Sequence, residues 1–180
     1  MADQYLTIPN TLSLLRILLL IPILFCFYSQ HFLCALGLFA VSAVTDMLDG
    51  IIARRWHMES RFGRILDPLA DKITFVTLVV LFGWDVLWRR WLLSLLAAEG
   101  ILLLMGAYTY INPHAEHWFS LGANKFGKAK TCCETALVAS LIAWHFFAYP
   151  DLFYLQVILF ISIAFAYASI VTHIRLTPLT

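Results

Sequence analysis

Long apolar runs separated by short polar ones divide the chain into six blocks, roughly 10–28, 32–53, 65–84, 91–111, 129–148 and 152–173. A helix rises about 1.5 Å per residue, so about 20 apolar residues cross a hydrocarbon core about 30 Å thick, and every block approaches that length. The pattern predicts an all-α fold. It is an integral membrane bundle of six transmembrane helices, a single domain over residues 1–180 with almost no chain left for a soluble domain. The first block is too long for a cleaved signal peptide and carries Arg16 well inside it. No small-residue cleavage site follows, so it reads as a retained helix.

Composition agrees with this reading. Of 180 residues, 62% are hydrophobic and 13% charged, against about 45–50% and about 25% in a soluble domain. The formal net charge of +1 hides a polarised molecule. With six spans, Arg54, Arg55, Arg61, Arg64, Lys125, Lys128, Lys130 and Arg175 share one side with Arg16 and Lys72 near it, while Arg89 and Arg90 lie opposite. The positive-inside rule makes the basic side cytoplasmic, which predicts a multi-pass protein of the inner (cytoplasmic) membrane. Trp84, Trp88, Trp91 and Trp118 near the span ends read as interfacial anchors. Cys26, Cys34, Cys132 and Cys133 have no zinc spacing and read as buried small apolar residues. His114 and His117 lie in a loop containing Pro113 and are expected to face water.

The chemistry lies in the acids. Asp46, Asp49, Asp67 and Asp71 stand within or beside apolar helical stretches, where an ionised carboxylate is costly without a counter-charge. Residues at i, i+3, i+4 and i+7 share a helix face, so Asp46, Asp49, Gly50 and Ala53 form a stripe at the cytoplasmic end of the second span. Asp67 and Asp71 share a face at the start of the third. Two antiparallel helices joined by a short loop can bring all four carboxylates to one point. Oxygen-only ligands suit a hard cation such as Mg²⁺, Mn²⁺ or Ca²⁺, and four carboxylates suit two ions. Gly50, Gly63 and Ala53 leave room for a ligand against the backbone. Pro68 suggests a kink or a helix start beside Asp67, and Arg54 could fork a phosphate.

These residues spell D-x-x-D-G-x-x-A-R-x8-G-x3-D-x3-D, which is the signature of the CDP-alcohol phosphotransferases, and the chain resembles that family over nearly its whole length. The opening I-P-N-T-L-S-L-L-R at 8–16 is similar to the bacterial members'. The resemblance implies a cytoplasm-facing polar cavity where a CDP-linked donor meets an alcohol acceptor, with Asp46, Asp49, Asp67 and Asp71 holding a pair of Mg²⁺ or Mn²⁺ ions. It also implies that Asp49, Gly50, Ala53, Arg54 and Gly63 cradle the CDP group and that Asp71 is the base. The implied reaction takes a phosphatidyl group from CDP-diacylglycerol and releases CMP. A homodimer among membrane lipids, with no nucleic-acid partner, is expected.

The acceptor is read from K-F-G-K-A-K-T at 125–131, which looks like the stretch of phosphatidylglycerophosphate synthases. Lys125, Lys128 and Lys130 are therefore candidate ligands for the phosphate of glycerol 3-phosphate. Those synthases place Arg before the acid that Glu99 matches, whereas Ala98 stands here. The alternatives are phosphatidylglycerol as acceptor, giving a cardiolipin synthase, another phosphorylated polyol, or, outside the enzymes, a divalent-cation transporter. A transporter would place its acids nearer the bilayer midplane.

Overall fold

The computed structural model describes residues 8–56, 63–111, 125–147 and 151–175, with side chains for 11–48, 66–108, 127–147 and 151–172. Six helices follow one another: α1 (Ile8–Tyr28), α2 (Phe32–Trp56), α3 (Gly63–Gly83), α4 (Arg89–Ile111), α5 (Lys125–Phe147) and α6 (Leu152–Arg175). Among the described residues every regular element is helical. Each helix has 21 to 25 residues, or about 31–38 Å of rise, the span of a hydrocarbon core. Pro68 lies inside α3, which has already begun at Gly63. It forfeits the bond to the carbonyl of Arg64 without ending the helix.

The turns at one end are short and locally determined. After α1 the chain reverses through a Schellman motif, in which His31 N donates to Cys26 O at 2.8 Å and Gln30 N to Phe27 O at 2.9 Å. Gln30 takes the left-handed conformation, φ 58°, that this motif demands. Gly83 closes α3 where a Cβ would meet Leu87 Cδ1 at 2.9 Å and Leu141 Cδ1 at 3.3 Å, so a larger residue there would require these leucine side chains to shift. Arg89 then lies over the Trp84 ring, 5.4 Å from its centroid. Trp84, Trp88 and Trp91 are exposed beside it, as interfacial anchors would be; Trp118, His114 and His117 lie outside the described residues.

Packing follows chain order for α1 with α2, α3 with α4 and α5 with α6, and the remaining contacts join helices that are not consecutive. α1 lies against α2 and α3, α5 against α2, α3 and α6, and α4 against α3 and α6. The core is aliphatic and aromatic, with Ile23, Leu78, Phe82, Leu95, Leu137, Leu141 and Leu159 fully enclosed. Near one end Phe27, Phe32, Phe82 and Trp144 surround the ring of His145, whose Nδ1 meets Leu141 O at 2.9 Å.

The outer surface is inverted relative to a soluble protein. Phe25, Tyr28, Leu104 and Phe153 are exposed, whereas Arg16, Glu99, Lys130 and Glu134 are buried. Apolar side chains outward and charges inward is the arrangement a lipid solvent imposes, and the protein is a membrane helical bundle. Three helices are apolar enough to cross by themselves, through Thr11–Tyr28, Arg89–Tyr108 and Leu152–Thr172. The shorter apolar stretch Phe32–Leu48 belongs to α2, and α3 and α5 are diluted by their interior charges. One expectation fails: of the four cysteines only Cys26 is buried, while Cys34 and Cys132 are exposed and Cys133 half-buried. A thiol is apolar enough to face outward in a surface of this kind.

Four of the interior charges lock three helices together. Lys130 Nζ on α5 donates to both Glu99 oxygens on α4, each at 2.9 Å, and to Glu134 Oε1 at 3.0 Å. Lys72 on α3 pairs with Glu99 as well. The group is neutral, two cations against two anions, and mutual pairing is what makes burial tolerable. Glu99→Gln leaves two lysines sharing Glu134. The loss of one partner in such a group costs about 3–5 kcal/mol, so the midpoint of thermal unfolding in detergent should fall by about 5 °C or more. Adding Lys130→Gln restores neutrality and should recover part of the loss. Unchanged melting of Glu99→Gln would remove the network from the forces holding α3, α4 and α5.

Candidate active site

Asp46 sits on α2 and Asp67 and Asp71 on α3, at the end of the bundle where α2 finishes and α3 begins. Because α2 runs toward this end and α3 away from it, the second and third acids of the spacing pattern arrive from opposite directions. Their partners come from α1. Arg16, 3% exposed, holds Asp46 Oδ1 from Nη2 at 2.7 Å and Asp71 Oδ1 from Nη1. One turn earlier, Ser13 Oγ donates to Asp67 Oδ1. A single guanidinium therefore draws together carboxylates from α2 and α3.

Asp49, Gly50, Ala53 and Arg54 fall on α2, Gly63 on α3 and Lys125 on α5, but their side chains lie outside those described. Among the described residues, no three histidine, cysteine or acidic side chains converge as a ready ligand set. The chemistry of the site nevertheless suits a hard cation. Its donors are carboxylate oxygens, and Asp46 and Asp71 already converge on one positive group, whose place a cation could take. Magnesium or manganese fits the residues present.

Of the candidate lysines, Lys130 is buried and engaged by Glu99 and Glu134, while Lys128, two residues away on the same helix, is exposed. The structure does not bring these two to one point. Sequence reasoning passed over Ser13 and Arg16 as site residues. Their signal was a cation three residues after a serine inside an otherwise apolar span.

Below the acids a narrow cleft with a cavity volume of about 70 Å³ runs between α1, α2, α3 and α5 and opens to the outside. Arg16, Asp46 and Asp71 line one end. One turn along each helix come Ser42 and Thr74, the latter next to Phe75, with Glu134 and Thr135 from α5, and beyond them Phe39 and Val138. The wall thus passes from carboxylate to hydroxyl to hydrocarbon. Such a space can accept an amphiphile with its charged part at the acids.

A family model described as CDP-alcohol phosphatidyltransferase matches residues 6–172. Over 167 residues the chain is 33% identical to a human protein named cardiolipin synthase (CMP-forming), an alignment covering 84% of this chain and 55% of that one. A Streptomyces coelicolor protein of the same name is 40% identical over 110 residues, 57% of this chain and 51% of its own. An Escherichia coli (strain K12) protein named CDP-diacylglycerol–glycerol-3-phosphate 3-phosphatidyltransferase is 32% identical over 162 residues, 84% of this chain and 87% of its own. The chain spans about half the length of the cardiolipin synthases it matches. The match covers all six helices up to Thr172, including the helix ends that carry the aspartates, and the chain belongs to the CDP-alcohol phosphatidyltransferase family.

Proposed function

We propose that this protein transfers a phosphatidyl group from CDP-diacylglycerol to a hydroxyl of glycerol 3-phosphate and releases CMP. The observation that carries the reading is the convergence of Asp46 and Asp71 on one cation beside a cleft that turns apolar with depth. We place the acidic end on the cytoplasmic side of the inner membrane, because Arg54, Arg55, Arg61 and Arg64 flank it while Arg89 and Arg90 lie at the other end. The protein works there as a homodimer.

In the proposed step the acceptor oxygen attacks the phosphorus that carries diacylglycerol. The new P–O bond forms as the bond from that phosphorus to the bridging oxygen breaks, and CMP leaves with that oxygen. Divalent ions held by Asp46, Asp49, Asp67 and Asp71 would neutralise the pyrophosphate and the charge developing on the leaving group. Asp71 takes the acceptor's proton. Asp49, Gly50, Ala53, Arg54 and Gly63 receive the CDP moiety, with Arg54 forking a phosphate. Arg16 and Ser13 fix the carboxylates of Asp46, Asp71 and Asp67 against drift. Lys125 and Lys128 meet the acceptor's phosphate, and Lys130 stiffens their helix through Glu99.

A second reading, phosphatidylglycerol as acceptor, is favoured by one observation. Lys130 is neutralised by two carboxylates, which leaves less positive charge for a phosphate monoester than three lysines would provide. The family's broader chemistry is common to both readings.

Three outcomes follow. Purified protein should release CMP from CDP-diacylglycerol only with Mg²⁺ or Mn²⁺, and chelation should abolish turnover; full activity in metal-free buffer would defeat the ion-dependent site. Asp71→Asn should fold and melt near the wild type yet lose about 10²-fold or more in kcat, since the amide cannot accept the proton. Retention of most turnover would end its role as base. Identification of the lipid product should decide the acceptor. With glycerol 3-phosphate as substrate, Lys128→Gln should raise its KM about tenfold while barely changing that for CDP-diacylglycerol. An enzyme that ignores glycerol 3-phosphate and converts phosphatidylglycerol to cardiolipin would establish the second reading instead.

A further inference from the structure

Thr74 lines the cleft one helical turn from Asp71 and is 6% exposed, and its hydroxyl has no hydrogen-bond partner. A helical threonine has an easy way to avoid this, which is to donate to a carbonyl three or four residues back in its own helix. Thr131 does so to Gly127 O at 3.1 Å, Thr135 to Thr131 O at 2.9 Å, Thr172 to Ala168 O at 2.9 Å and Thr45 to Ser42 O at 2.7 Å. Thr74 does not. A buried hydroxyl without a partner is destabilising, and of the two such hydroxyls among the described residues, those of Thr74 and Ser162, Thr74's is the one beside the cleft.

The surroundings say what kind. Ser42 faces the same depth from α2, so two hydroxyl-bearing side chains sit one turn below Asp46 and Asp71. Phe75 beside Thr74, and Phe39 and Val138 deeper, offer no polar contact. The carboxylate at this level, Glu134, is already paired with Lys130, so the level between acids and hydrocarbon suits an uncharged group that both donates and accepts, and rotation about one bond exchanges the places of the threonine hydroxyl and methyl.

We propose that Thr74 is a specificity residue for the acceptor, binding a hydroxyl on the carbon next to the one that attacks, so that the cleft selects a vicinal diol. This rests on the phosphatidyl-transfer reading above. Glycerol 3-phosphate and phosphatidylglycerol both present a primary hydroxyl beside a secondary one. With the primary oxygen at Asp71, the secondary one reaches toward the next turn, where Thr74 stands.

The test compares each acceptor with its analogue lacking the secondary hydroxyl, 3-hydroxypropyl phosphate or phosphatidyl-1,3-propanediol, in detergent with CDP-diacylglycerol. The wild type should favour the diol about tenfold or more in kcat/KM. Thr74→Val should erase that preference and Thr74→Ser restore it, while Thr74→Val unfolds at the same or a higher temperature because an unpaired hydroxyl is gone. Thr74→Ala reads the same preference if the valine variant does not fold. A wild type indifferent to the secondary hydroxyl, or a preference that survives in Thr74→Val, overturns the assignment and leaves the transfer reaction standing. So does a variant that loses both acceptors equally with a lower melting temperature, or one whose KM rises for CDP-diacylglycerol instead, which would give the hydroxyl to the donor. A wild type that consumes neither diol overturns the transfer reading and this assignment with it.

Discussion

The acidic end of the bundle depends on Arg16. Two carboxylates from different helices repel one another where they converge, and in this structure the buried guanidinium of α1 stands between the partly exposed Asp46 and Asp71 and offsets that repulsion. The same contact fixes where α1 lies, because a side chain 3% exposed must be enclosed by the helices whose acids it meets. Ser13, one turn away, adds Asp67 to the arrangement. The first helix is therefore a part of the site and more than a membrane anchor. Its apolar face contributes Ile23 to the core while Ser13 and Arg16 provide the polar partners.

A second neutral group, Lys72, Glu99, Lys130 and Glu134, governs the rest of the interior. Lys72 follows Asp71 in sequence, so α3 turns one charge toward α1 and the next toward α4 and α5. This explains the uneven hydropathy of the helices. α1, α4 and α6 are apolar enough to cross a bilayer by themselves, whereas α3 and α5 carry the charges that the others shield. A lysine alone at depth costs several kcal/mol. The placement of α3 and α5 is thus coupled to that of Glu99 on α4, and these charges fix how the helices register against one another around the apolar core.

Much of this was legible in the sequence, for identifiable reasons. Membrane spans are long and apolar, so α1, α4 and α6 were readable nearly to their ends. Hydropathy misjudged the polar ends: α5 begins at Lys125, four residues before its apolar stretch, and α2 continues through Arg54 and Arg55 to Trp56. Lysine and arginine are good helix formers that extend a helix past the membrane edge, where a transfer scale sees only a loop. The spacing of Asp46, Asp67 and Asp71 was legible because helical periodicity fixes faces. Which helix answers them was not, since Arg16 and Asp71 are 55 residues apart and nothing local links them. Lys130 shows the opposite failure. Its neighbours Lys125 and Lys128 suggested a phosphate site, although Glu134 at i+4 already offered it a partner and Glu99 a second.

The cleft draws its polarity gradient from antiparallel geometry. Counting backward from Asp46 along α2 and forward from Asp71 along α3 runs the same way into the cleft, so Ser42 and Thr74 both lie about one turn below the acids, with Phe75 beside Thr74 and Phe39 a turn deeper than Ser42. Had the two helices run parallel, one acid would have shared its level with the other's hydrocarbon. An amphiphilic donor fits these levels with its charged phosphates at the acids and its acyl carbon toward the hydrocarbon. In the proposed reaction the attacked phosphorus is the boundary between the nucleotide and the lipid, so the one level at which both can be held is the one where the aspartates end and the hydroxyls begin. A reaction site one turn deeper would have to bury the pyrophosphate among Phe39 and Phe75. One turn shallower, it would lift the acceptor's second hydroxyl out of reach of Thr74. The position of the acids at a helix end and one turn above the hydroxyls is thus what allows one short bundle to hold a water-soluble leaving group and a lipid at the same phosphorus.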